Sequence, residues 1–148
     1  MSELASSFGR AAEEYEQGRP GYAEAALDAV GLAADAVVLD LAAGTGKLTR
    51  QLVRRFARVL AVEPLGGMRA VLDRVVPEAE ALSGTATEIP LEDASLDAVF
   101  VGEAFHWFAT EATLRELARV LRPGGTLAIL FNQSEGEIEP PLPAAFWD

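Results

Sequence analysis

Apolar positions along this chain fall into two periods. Val37 to Leu41, Val59 to Val62, Leu96 to Val101 and Thr126 to Phe131 are short, nearly continuous apolar runs. Runs of that kind predict strands buried on both faces of a parallel sheet. A weaker run, Glu80 to Gly84, predicts a further short strand. Between the runs, apolar residues recur at three- and four-residue spacing, which predicts helices. These cover 2–16 (Leu4, Phe8, Ala11, Ala12 and Tyr15 on one side), Ala23–Val30, Lys47–Phe56, Gly67–Val75 and Glu111–Leu121. Ser2 and Thr110 are N-cap residues in type and position. Pro20 and its glycines stop the first helix, Pro77 closes the fourth, and Arg122-Pro123-Gly124-Gly125 turns the chain after the last. Strand, helix and strand joined by short links form βαβ units, which are parallel and right-handed.

The densest chemistry follows the first strand, in Asp40-Leu41-Ala42-Ala43-Gly44-Thr45-Gly46-Lys47. Small residues at alternating positions let backbone turn sharply and let a ligand lie against it without Cβ interference. A Walker phosphate loop fails here twice, because Leu41 stands where its first glycine belongs and Leu48 where its Ser or Thr belongs. A dinucleotide loop fails too, because its third glycine would fall at Thr49. What remains is an acid closing the strand with Ala42, Gly44 and Gly46 beyond it, or a tight connection that binds nothing. Glu63 ends the second strand 17 residues past Gly46, where a carboxylate can accept both hydroxyls of a ribose or simply be solvated.

The loop resembles the S-adenosylmethionine loop of class I methyltransferases, with Asp40, Ala42, Gly44 and Gly46 on the family pattern and Ala42 in place of the usual glycine. Other segments are similar to one group of small-molecule methyltransferases. They are Tyr15-x-x-Gly18-Arg19-Pro20-Gly21-Tyr22, Ala104-Phe105-His106-Trp107-Phe108, and Leu117-x-Arg119-Val120-Leu121-Arg122-Pro123-Gly124-Gly125-x-Leu127. The resemblance implies a Rossmann-like three-layer α/β sandwich, a parallel sheet of strand order 3-2-1-4-5 with helices on both faces. It implies one domain: an N-terminal helical lid over 1–35 carrying Tyr15, Arg19 and Tyr22, a core over 36–131, and a loop tail over 132–148. The cofactor implied is S-adenosyl-L-methionine, held by Asp40, Ala42, Gly44, Gly46, Glu63, Pro64, Met68, Thr85, Ala86, Thr87, Glu103 and Phe105. Thr85 stands where the family has an acid for the adenine amino group, so the resemblance implies adenine recognition that is weaker or shifted to Ala86 and Thr87. Met68 packs against adenine or belongs to the core. The family's C-terminal antiparallel hairpin is expected to be absent, leaving the fifth strand at an edge open to pairing with a second copy.

His106 is the only histidine, and its ordinary pKa lies near neutrality. It is the candidate base for the methyl acceptor, or else a structural residue of an aromatic turn. No metal site is expected, because no second histidine and no cysteine accompany it. At 148 residues and half hydrophobic, the chain suffices for one globular domain. A net charge of −11 disfavours nucleic acid as a partner and leaves a small-molecule acceptor. The lack of cysteine and of any apolar run near 20 residues is consistent with a cytoplasmic protein away from membranes. Two other functions are compatible with the same residues: a degenerate, non-catalytic cofactor-binding or scaffold domain, and an NAD(P)-dependent oxidoreductase.

Overall fold

A computed structural model describes residues 21–102 and 109–131. Tyr15, Arg19, Glu103, Phe105 and His106, the helix expected over 2–16 and the tail over 132–148 lie outside those residues. The elements run α1 (Glu24–Val30), β1 (Val37–Leu41), α2 (Lys47–Leu52), β2 (Arg58–Val62), α3 (Gly66–Val75), β3 (Glu80–Leu82), β4 (Leu96–Gly102), α4 (Glu111–Val120) and β5 (Leu121–Leu130). The five strands form one sheet ordered β3-β2-β1-β4-β5, with every pairing parallel. The expected sheet order is the observed one.

Strand alternation sorts the core into two layers. Val38, Val59, Ala61, Ala98 and Phe100 meet Leu27 of α1, Leu48 and Leu52 of α2, and Leu72 of α3. Leu39, Leu41, Leu60, Val62, Val99 and Val101 meet Leu117 and Val120 of α4 on the opposite face. Helices therefore cover both faces, and the apolar strands are explained by burial on each side. Burying each valine, leucine or phenylalanine among them contributes roughly 1.5–3 kcal/mol. Asp97, inside β4, accepts from the Val37 amide at 2.8 Å and pairs with Arg122, fixing where β1 begins relative to β4.

Two boundaries differ most from the sequence expectation. The helix after the loop ends at Leu52 rather than Phe56. Beyond it the Phe56 amide still donates to the Leu52 carbonyl at 2.9 Å while its ring packs on Phe100, ring centres 6.0 Å apart, and Arg55 pairs with Glu24 and Asp28 of α1. The fifth strand starts at Leu121 rather than Thr126, because Leu121 already pairs with Leu96. Arg122 to Gly125 then bulge outward, with Gly124 at φ +80°, before pairing resumes at Ala98 and Thr126.

Candidate functional site

In an open parallel sheet the ligand crevice lies beyond the strand C-termini, where strand order reverses. Here that point lies between β1 and β4. The loop after β1 fits it through backbone geometry: Ala42, Gly44 and Gly46 have φ of 58°, 61° and 98°. Gly44 and Gly46 adopt those angles freely. Ala42 does so against its Cβ, so the one departure from glycine is a point of backbone strain. Gly46 serves packing as well. A Cβ there would sit 2.6 Å from Leu72 Cδ1 and 2.9 Å from Val76 Cγ2, so the turn presses directly on α3.

On the α2 side of the sheet, two carboxylates are buried at the strand mouths. Asp40 is 1% exposed and accepts from Thr49 Oγ1 at 2.6 Å. Burial, opposed by that hydrogen bond and helped by the nearby charge of Glu63, pushes the Asp40 carboxyl up to about 7. Glu63 is 5% exposed, and its two oxygens accept the Gly44 amide at 2.9 Å and the Leu65 amide at 2.8 Å. Neither carboxylate forms an ion pair among the described residues. Met68 lies beside Gly44, with its Sδ 3.9 Å from where a Gly44 Cβ would be. Tyr22 is buried against the end of β4, its ring carbon Cζ 2.9 Å from where a Gly102 Cβ would be. Gln51 of α2 holds Tyr22 there by bonding both its amide and its carbonyl, at 2.9 and 2.8 Å.

A cavity of about 230 Å³ opens on the other side of the loop. Leu41, Ala42, Val62, Pro64, Gly84, Thr85, Ala86 and Thr87 line it, and its walls are almost wholly apolar. A wider groove of about 630 Å³ shares Pro64, Gly84, Thr85 and Thr87 with it and runs on to Glu116 and Arg119. Small-molecule sites usually span about 300–1,000 Å³, so the two spaces together are large enough for one. The 84–88 segment is a tight turn: Thr85 and Glu88 exchange amide hydrogen bonds at 3.1 and 3.2 Å, leaving Ala86 and Thr87 at the tip. The Thr85 hydroxyl also accepts from the Glu88 amide. The amides of Ala86 and Thr87 donate to no described residue.

The sequence-derived residues thus fall into two groups. Ala42, Pro64, Thr85, Ala86 and Thr87 line the cavity, whereas Asp40, Gly44, Glu63 and Met68 gather on the α2 side. Glu63 joins the groups, since Val62 and Pro64 on either side of it are both cavity walls. The Gly44 and Gly46 amides are spent within the chain, on Glu63 and on Ala43, so these glycines shape the turn rather than offer donors. Sequence reasoning missed Thr49, a buried hydroxyl on the core face of α2, although a threonine in that apolar stripe was a readable signal. It also missed what Glu116 and Arg119 bond, for which no local signal exists. Among the described residues no cluster of metal-binding side chains occurs, and no helix is long and apolar enough to cross a membrane.

Fold and crevice together define a doubly wound α/β protein with a parallel sheet of order 3-2-1-4-5. The family described as "Methyltransferase domain" matches residues 39–129. An uncharacterized methyltransferase of Mycobacterium tuberculosis is 50% identical over 130 residues, covering 88% of this chain and 54% of that protein. An uncharacterized methyltransferase of Schizosaccharomyces pombe is 37% identical over 130 residues, covering 84% of this chain and 52% of that protein. The crystal structure of a SAM-dependent methyltransferase from Aquifex aeolicus superposes with a TM-score of 0.70 at 28% identity, covering 80% of this chain and 68% of that one. The chain belongs to the methyltransferase domain family. It spans about half the length of the curated relatives it matches.

Proposed function

We propose that this chain binds S-adenosyl-L-methionine across the mouths of β1 and β2 and transfers its methyl group to a small-molecule acceptor. The observation that carries this reading is the pair of buried carboxylates, Asp40 and Glu63, with no cationic side chain paired to either among the described residues. Asp40, pushed up to about 7, is part-protonated at neutral pH, and the Arg69 guanidinium bonds the Glu63 carbonyl at 2.8 Å rather than its carboxylate. The unpaired negative charge left at the two carboxylates therefore favours a sulfonium donor over the pyrophosphate of NAD(P). Glu63 fits the ribose. A carboxylate has about four acceptor positions, and two of them are taken by Gly44 and Leu65. The apolar cavity and the undonated Ala86 and Thr87 amides suit the face and edge of adenine. Asp40 with the loop suits the amino-acid end.

The bound sulfonium would supply a methyl group that is already a strong electrophile. The protein's part is to align an acceptor with it and to keep the site dry. His106 stands as the base for an acceptor whose nucleophile carries a proton. A net charge of −11 supports a small molecule over nucleic acid.

One observation favours the non-catalytic alternative. Glu63 and the Gly44 amide satisfy each other, so the loop is stable as a purely structural turn. Calorimetric titration with S-adenosylmethionine, S-adenosylhomocysteine and NADH decides among the readings. The donor-site reading requires binding of the first two and not the third. Binding of none supports a scaffold role, and binding of NADH alone supports an oxidoreductase.

A further inference from the structure

Beyond the cavity, the segment 88–95 runs from the tight turn to β4 without belonging to a strand, yet its backbone is extensively engaged by α4. Ile89 buries its side chain among Leu117, Val120 and their neighbours. Its amide donates to Glu116 Oε2 at 2.7 Å, and its carbonyl accepts from Arg119 Nη2 at 2.8 Å. Arg119 Nη1 reaches the Leu91 carbonyl at 2.7 Å and Asp93 at 3.0 Å, and the same guanidinium also bonds the Glu116 carboxylate. The Ala94 and Ser95 amides then donate to the Arg119 and Val120 carbonyls at the end of α4. One planar fork therefore spans three acceptors on the loop and one on its own helix, which an ammonium cannot reproduce.

We propose that Arg119 and Glu116 are positioning residues for the purine end of the donor: they hold the Thr85–Glu88 turn where the apolar cavity meets the wider groove, with the unpartnered Ala86 and Thr87 amides left for the base. This rests on the donor-site reading above. The turn has only two roots. One is Gly84, following β3, where a Cβ would meet Pro90 Cδ at 2.7 Å. The other is Ile89, whose backbone donor and acceptor both end on the Glu116–Arg119 pair. Loosening the backbone of that second root, whose Ile89 side chain stays in the core, lets the turn tip swing while the apolar cavity walls on β1 and β2 stay in place. The pair's effect falls on which base is accepted as well as on how tightly.

Purine discrimination provides a readout that general loosening of the fold would not move. N1 of adenine accepts a hydrogen bond, whereas N1 of hypoxanthine carries a hydrogen and opposes an amide donor. The affinities of S-adenosylhomocysteine and S-inosylhomocysteine are to be measured by calorimetry for the wild-type chain, Arg119→Gln and Arg119→Lys. Urea unfolding then sets a temperature at which all three are folded. One correctly placed hydrogen bond makes the adenosyl ligand about tenfold tighter in the wild type. In both variants the ratio is expected to fall toward one, because lysine keeps the charge and loses the fork. Arg119→Lys guards against a failure of the glutamine variant to fold. Amide exchange at Glu88 and Ile89, faster in the variants, reports the released root directly. A wild-type ratio maintained in a folded variant overturns the clamp alone. Failure of the wild type to bind S-adenosylhomocysteine overturns the donor-site reading and the clamp together.

Discussion

Replacing Asp40 by asparagine tests the electrostatics of the crevice without altering its shape. Asp40 is buried on the core side of β1, with the Thr49 hydroxyl as its hydrogen-bond donor and Glu63 as a like-charged neighbour. Its folded pKa of about 7 lies above its ordinary value of 3.8. A raised carboxyl pKa means that the native state keeps a proton the unfolded chain has already released. The contribution to stability is therefore complete below about pH 4 and is lost as pH rises toward 7. At about 1.4 kcal/mol per pH unit across that gap, the loss is on the order of 4 kcal/mol, and it levels off above pH 7. An asparagine cannot ionise, and its side-chain oxygen still accepts from Thr49, so Asp40→Asn lacks this pH dependence. Urea unfolding followed by far-ultraviolet circular dichroism at half-unit steps from pH 4 to 8 gives both stabilities. Taking their difference cancels the titration of all the other acids in this strongly acidic chain. The wild type should fall progressively below Asp40→Asn, by roughly 2–3 kcal/mol between pH 5 and 8. Parallel curves over that range would refute the reasoning and show that Asp40 is ionised in the fold at no cost.

Three further outcomes follow from the same geometry. Ala42→Gly relieves a left-handed backbone at φ 58°, a strain of about 1–2 kcal/mol partly offset by glycine's greater entropy loss, so urea unfolding should show a gain of about 0.5–1 kcal/mol. Gly46→Ala combines φ +98° with a Cβ pressed on Leu72 and Val76, and the same assay should show a loss of roughly 2–5 kcal/mol. Among the described strands β5 pairs with β4 on one side only, and Phe131 beside it is 38% exposed. We expect copies of this chain to associate through the outer edge of β5, and sedimentation equilibrium that stays monomeric at high concentration would refute that.

Much of the architecture was legible because its causes are local. Val37 to Leu41 and Val59 to Val62 declare buried parallel strands by composition, and the small residues between them declare a tight turn whatever surrounds them. Boundaries were less legible where a distant partner overrode local pattern. The α2 periodicity continues to Phe56, whose ring packs on the distant Phe100, but the regular helix stops at Leu52 and the chain goes on as turns. The Pro-Gly-Gly turn reads as a clean break, but Leu121 is already paired with Leu96 before it. At the site, Asp40 and Glu63 stood out as acids ending apolar runs. Their actual partners, Thr49 and the Gly44 amide, depend on how α2 and β2 lie against β1.

The amino-acid sequence alone determined the order of strands and helices, the small-residue loop after β1 and the acids at the strand ends, because each depends on neighbours within a few residues. Tertiary structure alone decided that both acids would be buried with no described ion pair to either carboxylate, that Gly46 would press on α3, and that Arg119 would grip a loop nearly 30 residues away. Those outcomes depend on register and packing between segments distant in the chain, which no local pattern encodes.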